Sequence, residues 1–288
     1  MTLNSIFVPF LRPDDHNALC SAFSLAEVLG SKRVVAAHFR QRLNPAQFAY
    51  YPFAGVMPLD NDDALLKAEE KLALEMKEMF EDVRSKAGVS TQQGNGSDSD
   101  EAITALLRDQ KGLIPEDVAT VATGFDVTVL SNAGDVDTSL DLIEHVILRS
   151  GRPVILVPNS KTEVKLDHVA VAWNASAEAA RAVTASMGVL AVAKKVSVVS
   201  VSDRSVPGDA VDELIETLRL TGIDAAAEQT PKPDGVSTED LLEKHLVGMN
   251  PDLVVMGAYS HSRLRESVFG GFTRSVLTKV PFPAFLAR

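Results

Sequence analysis

The sequence predicts an α/β protein made of two tandem, doubly wound parallel sheets of the Rossmann-like kind. Three observations carry this. Short apolar, β-branched runs without polar alternation recur, as in 127–130, 168–173 and 252–256, and such runs suit strands buried on both faces. Segments with helical spacing of apolar residues separate them, and alternating β and α elements make a parallel sheet. The order then starts again after a polar stretch at 158–165, and the words DVTVLS and SGRPVILVP are echoed by DLVVMGA and VPFPAFLAR. With 288 residues the chain can bury two cores of ordinary size, and the expected domains are 1–158 and 165–288.

Ser5 to Phe10 is the first expected strand, ended by Pro13 and two aspartates. Asp15 is placed to cap a helix whose buried side includes Leu19, Phe23, Ala26 and Val28. Val34 to His38 is the next strand. Residues 42–60 then break the rhythm with Phe48, Tyr50, Tyr51, Phe53 and Met57. They form either an aromatic lid or partner patch, or an excursion folded over the sheet edge. A long amphipathic helix is expected over 62–86, with Leu65, Ala68, Leu72, Met76, Met79 and Val83 on one stripe. The segment QQGNGSDSDE, 92–101, is too polar to pack and reads as a mobile loop or a tip inside the first domain. Helix is expected at 102–107 and 114–122, strand at 127–130, helix at 140–148 and strand at 153–157.

After the linker, strands are expected at 168–173, 195–201 and 224–229, and helices at 176–192, 209–221 and 238–249. The last segment reads as strand (252–256), loop, helix and a final strand (283–286). Gly257 stops the first strand. Gly270 and Gly271 precede a helix whose Phe272, Val276 and Leu277 share one side, and Pro281 and Pro283 close it.

Bulk properties narrow the function. No apolar run is long enough to span a membrane, and the N-terminus lacks a basic region and a small-residue cleavage site. The single cysteine, Cys20, cannot pair internally and reads as a small apolar helix residue; a cytoplasmic setting is expected. A net charge of −11 argues against sequence-independent binding of nucleic acid. It is unevenly spread: residues 1–160 hold 14 basic against 23 acidic side chains, residues 161–288 hold 14 against 16. Any phosphate ligand is therefore expected in the second half, where Arg263, Arg265, Arg274 and Lys279 face Glu266 alone in the final loop and helix.

A glycine-flanked loop between a buried strand and a helix N-terminus offers free N–H groups and a positive dipole end, which together suit an anion. The spacing Gly257, two residues, Ser260, nine residues, Gly270 resembles the nucleotide loop of the universal stress protein family, as do the words MGAY, HSRLRE and GGFTR. Ser260 stands where that pattern has glycine and Gly271 where it has a hydroxyl residue, while Thr273 matches a frequent phosphate contact. The resemblance covers the second half strongly and the first faintly. It implies two universal stress protein domains, homodimers, stress-linked regulation and no dedicated catalytic residues.

The resemblance further implies an adenine nucleotide, ATP with or without Mg, at the carboxyl ends of the second-half strands. Its contacts would be Ala172, Asn174, Val201, Gly257, Ser260, His261, Gly270, Gly271, Phe272 and Thr273. AWNAS resembles the AWNGS of tandem members, with Ala175 replacing a glycine, and Trp173 is either a wall beside adenine or core. His261 is either a phosphate contact or a solvated cation. In the first half the corresponding positions are Pro9, Phe10 and Leu11; the spaced glycines are missing, and Asp135 and Asp137 would repel phosphate. No nucleotide is expected there, which leaves a scaffold role. Walker, GxGxxG, GxSxG, HExxH and CxxC motifs are absent, and the six histidines do not cluster at metal-ligand spacing. Two other readings stay open: an interaction scaffold with a decayed site and an unknown protein partner, and a weak ATPase.

Overall fold

The computed structural model describes residues 3–40, 62–91, 103–112, 114–131, 136–202, 209–258 and 282–288. The chain forms two compact units. The first comprises Leu3–Arg152 with Asn159–Glu163, and the second Pro153–Pro158 with Val164–Arg288.

The first unit runs β1 (Ser5–Pro9), α1 (His16–Leu29), β2 (Arg33–Arg40), α2 (Asp62–Lys86), β3 (Ser90–Thr91), β4 (Thr104–Lys111), α3 (Glu116–Ala122), β5 (Val127–Ser131) and α4 (Val136–Ser150). Its strands lie in the order β3-β4-β2-β1-β5, all parallel. β1 is central, and the chain moves to one side for β2 and β4 but to the other for β5. The strand order therefore reverses between β1 and β5, where open α/β sheets place their ligand crevice. Ile6, Phe7, Val8, Val34, Val35 and Val129 are wholly buried, as strands covered on both faces must be.

The second unit holds β6 (Val154–Val157), β7 (His168–Ala172), α5 (Ala177–Leu190), β8 (Lys195–Ser202), α6 (Ala210–Leu220), β9 (Ala225–Pro231), α7 (Thr238–Met249), β10 (Leu253–Gly257) and β11 (Ala284–Ala287). The order is β6-β11-β10-β7-β8-β9, parallel except that β6 runs antiparallel to β11, with Ile155 opposite Phe285. The reversal here lies between β7 and β10. The same device locks both units. Asp126, just before β5, accepts hydrogen bonds from the Asn4 and Ser5 N–H groups at 2.9 Å, and Asp252, just before β10, accepts one from the His168 N–H at 2.8 Å. Each aspartate pins the start of its unit's central strand.

Five expectations need correction. Residues 104–111 are strand, not helix. β4 pairs with β2 over eight positions, and only the two-residue β3 lies outside it. Its side chains are half-exposed, so the buried-strand signature is missing and the Leu-rich run imitates a helix. Val28 is exposed on α1, while Leu25 and Leu29 are buried. On α2 the buried stripe includes Phe80 beside Leu72, Met76 and Val83. Asp15 precedes α1 but makes no side-chain cap. The strand expected at 153–157, assigned by sequence to the first half, belongs by its contacts to the second unit, because its apolar edge pairs with β11. The aromatic segment 42–60 and the polar segment 92–101 lie outside the described residues.

Candidate site at the carboxyl end of the second sheet

Ala172 ends β7 between Met256 of β10 and Val199 of β8, so three parallel strands finish side by side. The Trp173 N–H continues the ladder with the Val199 carbonyl at 2.8 Å, and the half-buried indole donates from Nε1 to the Ala210 carbonyl at 3.1 Å. That bond ties the strand end to the first residue of α6. Val201 is buried two residues further along β8.

Beyond Trp173 the chain must turn sharply to start α5. Asn174 Oδ1 accepts from the Ser176 N–H at 3.1 Å, and Ser176 Oγ accepts from the Ala179 N–H at 3.2 Å. This Asx turn and N-cap enclose Ala175, which sits at φ 55°, in the left-handed region. An alanine there costs about 1 kcal/mol relative to a residue without Cβ, and the resembling AWNGS word has glycine at this position. Asn174 is exposed, and its amide nitrogen has no hydrogen-bond partner among the described residues.

Gly257 ends β10 directly against this turn. A Cβ there would lie 2.6 Å from both the Ala179 nitrogen and the Glu178 carbonyl carbon. Backbone cannot rotate aside, so only glycine allows α5 to start so close to the strand. The next residue, Ala258, is buried and donates its N–H to the Ala287 carbonyl at 2.8 Å. The fold therefore gathers Ala172, Asn174 and Gly257 at the reversal point, with Val201 at the end of the neighbouring β8. Ser260, His261, Gly270, Gly271, Phe272 and Thr273 lie outside the described residues.

The corresponding crevice of the first unit is built differently. Phe10 takes the place of Trp173, donating its N–H to the Ala37 carbonyl of β2 at 2.9 Å. Asp15 is buried here. Its Oδ2 accepts from the Leu11 and Arg12 N–H groups at 2.9 Å, and its Oδ1 accepts from Ser131 Oγ at 3.0 Å. A carboxylate of the chain itself thus occupies the N–H groups at the reversal point between β1 and β5. Burial pushes this carboxyl above its ordinary value, opposed by the Arg12 charge and the three hydrogen bonds. The side chains of Asp135 and Asp137, the anions the sequence suggests here, lie outside the described residues, and the role of Asp15 is not evident from sequence. Its only sequence signal is a second aspartate after Pro13 where a helix cap would stand.

Among the described residues no group of three His, Cys, Asp or Glu side chains could hold a metal, and no helix is long and apolar enough to cross a membrane. His38 is buried in β2 with Nδ1 3.2 Å from the Phe10 carbonyl, and burial lowers its pKa. Cys20 is half-buried on α1, and burial raises its thiol pKa.

By sequence, the chain matches no family model and no curated protein. By structure it is similar to a universal stress protein from Archaeoglobus fulgidus, with a TM-score of 0.71 at 15% identity over 99% of this chain and 96% of that one. A putative universal stress protein from Pseudomonas aeruginosa gives a TM-score of 0.54 at 13% identity, covering 99% and 93%. A protein of unknown function from the same organism gives 0.54 at 13%, covering 99% and 92%. The likeness runs the whole length of the chain, and with two reversal points built on one plan it assigns the chain the fold of the universal stress proteins in tandem, two doubly wound α/β units in one polypeptide.

Proposed function

We propose that the protein is a cytoplasmic regulatory module of universal stress protein type that takes an adenine nucleotide, ATP in the first instance, in its second unit. The first unit serves as scaffold. The observation that supports this most is the contrast between the two reversal points. In the first unit the chain's own Asp15 occupies the N–H groups of Leu11 and Arg12. In the second, the corresponding turn leaves the Asn174 amide exposed beside Trp173, and Gly257 opens the glycine-spaced segment that follows.

The reading assigns the base edge to Asn174, the strand-end floor to Ala172 and Val201, and the phosphates to Gly257, Ser260, His261, Gly270, Gly271, Phe272 and Thr273. Mg would travel on the phosphates and is given no protein ligand set. The reading includes no dedicated catalytic group and therefore at most weak hydrolysis. Homodimers and a protein partner that reads the nucleotide state belong to the same proposal.

Calorimetric titration with ATP tests it. Ser260 and Gly271 each weaken binding by about 1 kcal/mol, roughly fivefold. Ser260→Gly combined with Gly271→Ser should therefore tighten ATP binding, and Gly270→Glu should abolish it by placing a carboxylate against the phosphates. Wild-type affinity in the Gly270→Glu protein would remove the loop from the site. A scaffold without nucleotide is favoured by one observation: the Trp173 indole N–H and the Asn174 oxygen are both spent on internal bonds. Purified protein that carries no nucleotide and binds none would establish that alternative.

A further inference from the structure

A hollow of about 550 Å³ lies between the edge strand β9 and α7, beside the end of β8, where Glu228 and Thr230 pair with Val199 and Val201. Its size is that of a small-molecule site. Glu228 and Thr230, two residues apart, share one side of β9, and Leu241, Lys244, His245 and Gly248 follow helical spacing on α7, so one strand face and one helix stripe form the walls.

Four features set the chemistry of the occupant. His245 Nδ1 is 3.1 Å from Thr230 Oγ1, which fixes the ring, while Nε2 is buried without a hydrogen-bond partner. A buried ring nitrogen left unpaired is costly, and a ligand atom would satisfy it. Lys244 and Glu228 bring opposite charges to the same walls, and neither forms an ion pair among the described residues. Leu241 and Met249 supply apolar surface. Gly248 stands near the end of a helix, where glycine is disfavoured, yet its φ is not left-handed and an added Cβ would meet nothing within 4 Å. No local contact demands the glycine, and its missing side chain keeps the hollow open.

We propose that this hollow binds a small zwitterion with an apolar body, of the free amino acid class. The carboxylate pairs with Lys244 and His245 Nε2, the ammonium with Glu228, and the apolar side chain packs on Leu241 and Met249. A simple carboxylate would meet Glu228 unopposed, and a simple amine would meet Lys244.

The full-length protein is titrated calorimetrically with leucine, isoleucine, methionine and phenylalanine, each singly, then with N-acetylleucine and leucinamide. At least one free amino acid should bind saturably. Removing either ligand charge should weaken binding about tenfold or more, as should Lys244→Met or Glu228→Gln. Gly248→Leu should fill the hollow and abolish binding while leaving the thermal midpoint unchanged or raised. Absence of saturable binding for all four amino acids overturns the proposal. Equal binding of N-acetylleucine overturns the zwitterion assignment, and undiminished binding to folded Gly248→Leu protein overturns the location. Because ATP plays no part in these titrations, the result is independent of the nucleotide reading.

Discussion

Asp15→Ala would remove the acceptor shared by three donors: the buried Leu11 N–H and Ser131 hydroxyl and the part-buried Arg12 N–H. Leaving a buried donor unsatisfied costs about 1–3 kcal/mol, and water entering the vacated space recovers part of this, so the expected loss is about 3 kcal/mol. Asp15→Asn keeps an oxygen for the backbone donors and can turn its amide toward Ser131, which leaves only the charge-assisted part, about 1 kcal/mol or less. The raised pKa acts in the same direction, because a neutral amide escapes the desolvation that penalises the carboxylate. Urea denaturation followed by far-UV circular dichroism, with parallel detection of Trp173 fluorescence, measures both variants. The sole tryptophan reports the second unit, so the two signals show where stability is lost. The reasoning fails if alanine costs under about 0.5 kcal/mol, or if asparagine costs as much as alanine.

Gly257→Ala should destabilise the second unit by about 1–3 kcal/mol, since the new Cβ meets backbone of Glu178 and Ala179 that cannot rotate away. An unchanged urea midpoint by Trp173 fluorescence would show that α5 yields freely. His38 gives a pH dependence. Burial lowers its pKa from 6.5, so as pH falls through that value the unfolded chain takes up a proton that the folded chain refuses. Stability should thus be full above the ordinary histidine range and decline as pH falls from 6.5 towards the folded-state value. His168 is lowered too, chiefly by burial, and acts in the same direction. His38→Asn should reduce the slope of urea midpoint against pH between about 5 and 7.5, and an unaltered slope would remove His38 as a source.

The parts of the fold legible in the sequence were those whose signal is local. Both-faces-buried strands such as Val127–Ser131 and Leu253–Gly257 announce themselves as apolar runs, and α2 and α7 show their helical stripes. β4 was illegible because its state depends on eight pairings with β2 and its exposed side chains carry no pattern. The partner of β6 was illegible as well, because strand pairing across 130 positions has no local trace. At the candidate site the places of Asn174 and Gly257 at the ends of β7 and β10 could be read directly. That Asn174 uses its oxygen to turn the chain, and that Ala175 takes a left-handed conformation, could not.

The two reversal points can be aligned through the aspartates that pin the central strands. Asp126 precedes Ser131 by five residues, and Asp252 precedes Gly257 by the same interval, so Ser131 stands where Gly257 stands. Likewise Phe10 and Trp173 donate to the neighbouring strand from equivalent places, which puts Leu11 opposite Asn174. At one of these paired positions a missing Cβ lets a helix start against the strand; at the other a hydroxyl reaches a buried carboxylate. The frame contacts are held in common while the crevice contacts differ. A carboxylate that satisfies the backbone donors stabilises the first unit without a ligand, and the same bonds deny those donors to a phosphate. For the first unit, stability and anion binding at the reversal point are therefore alternatives.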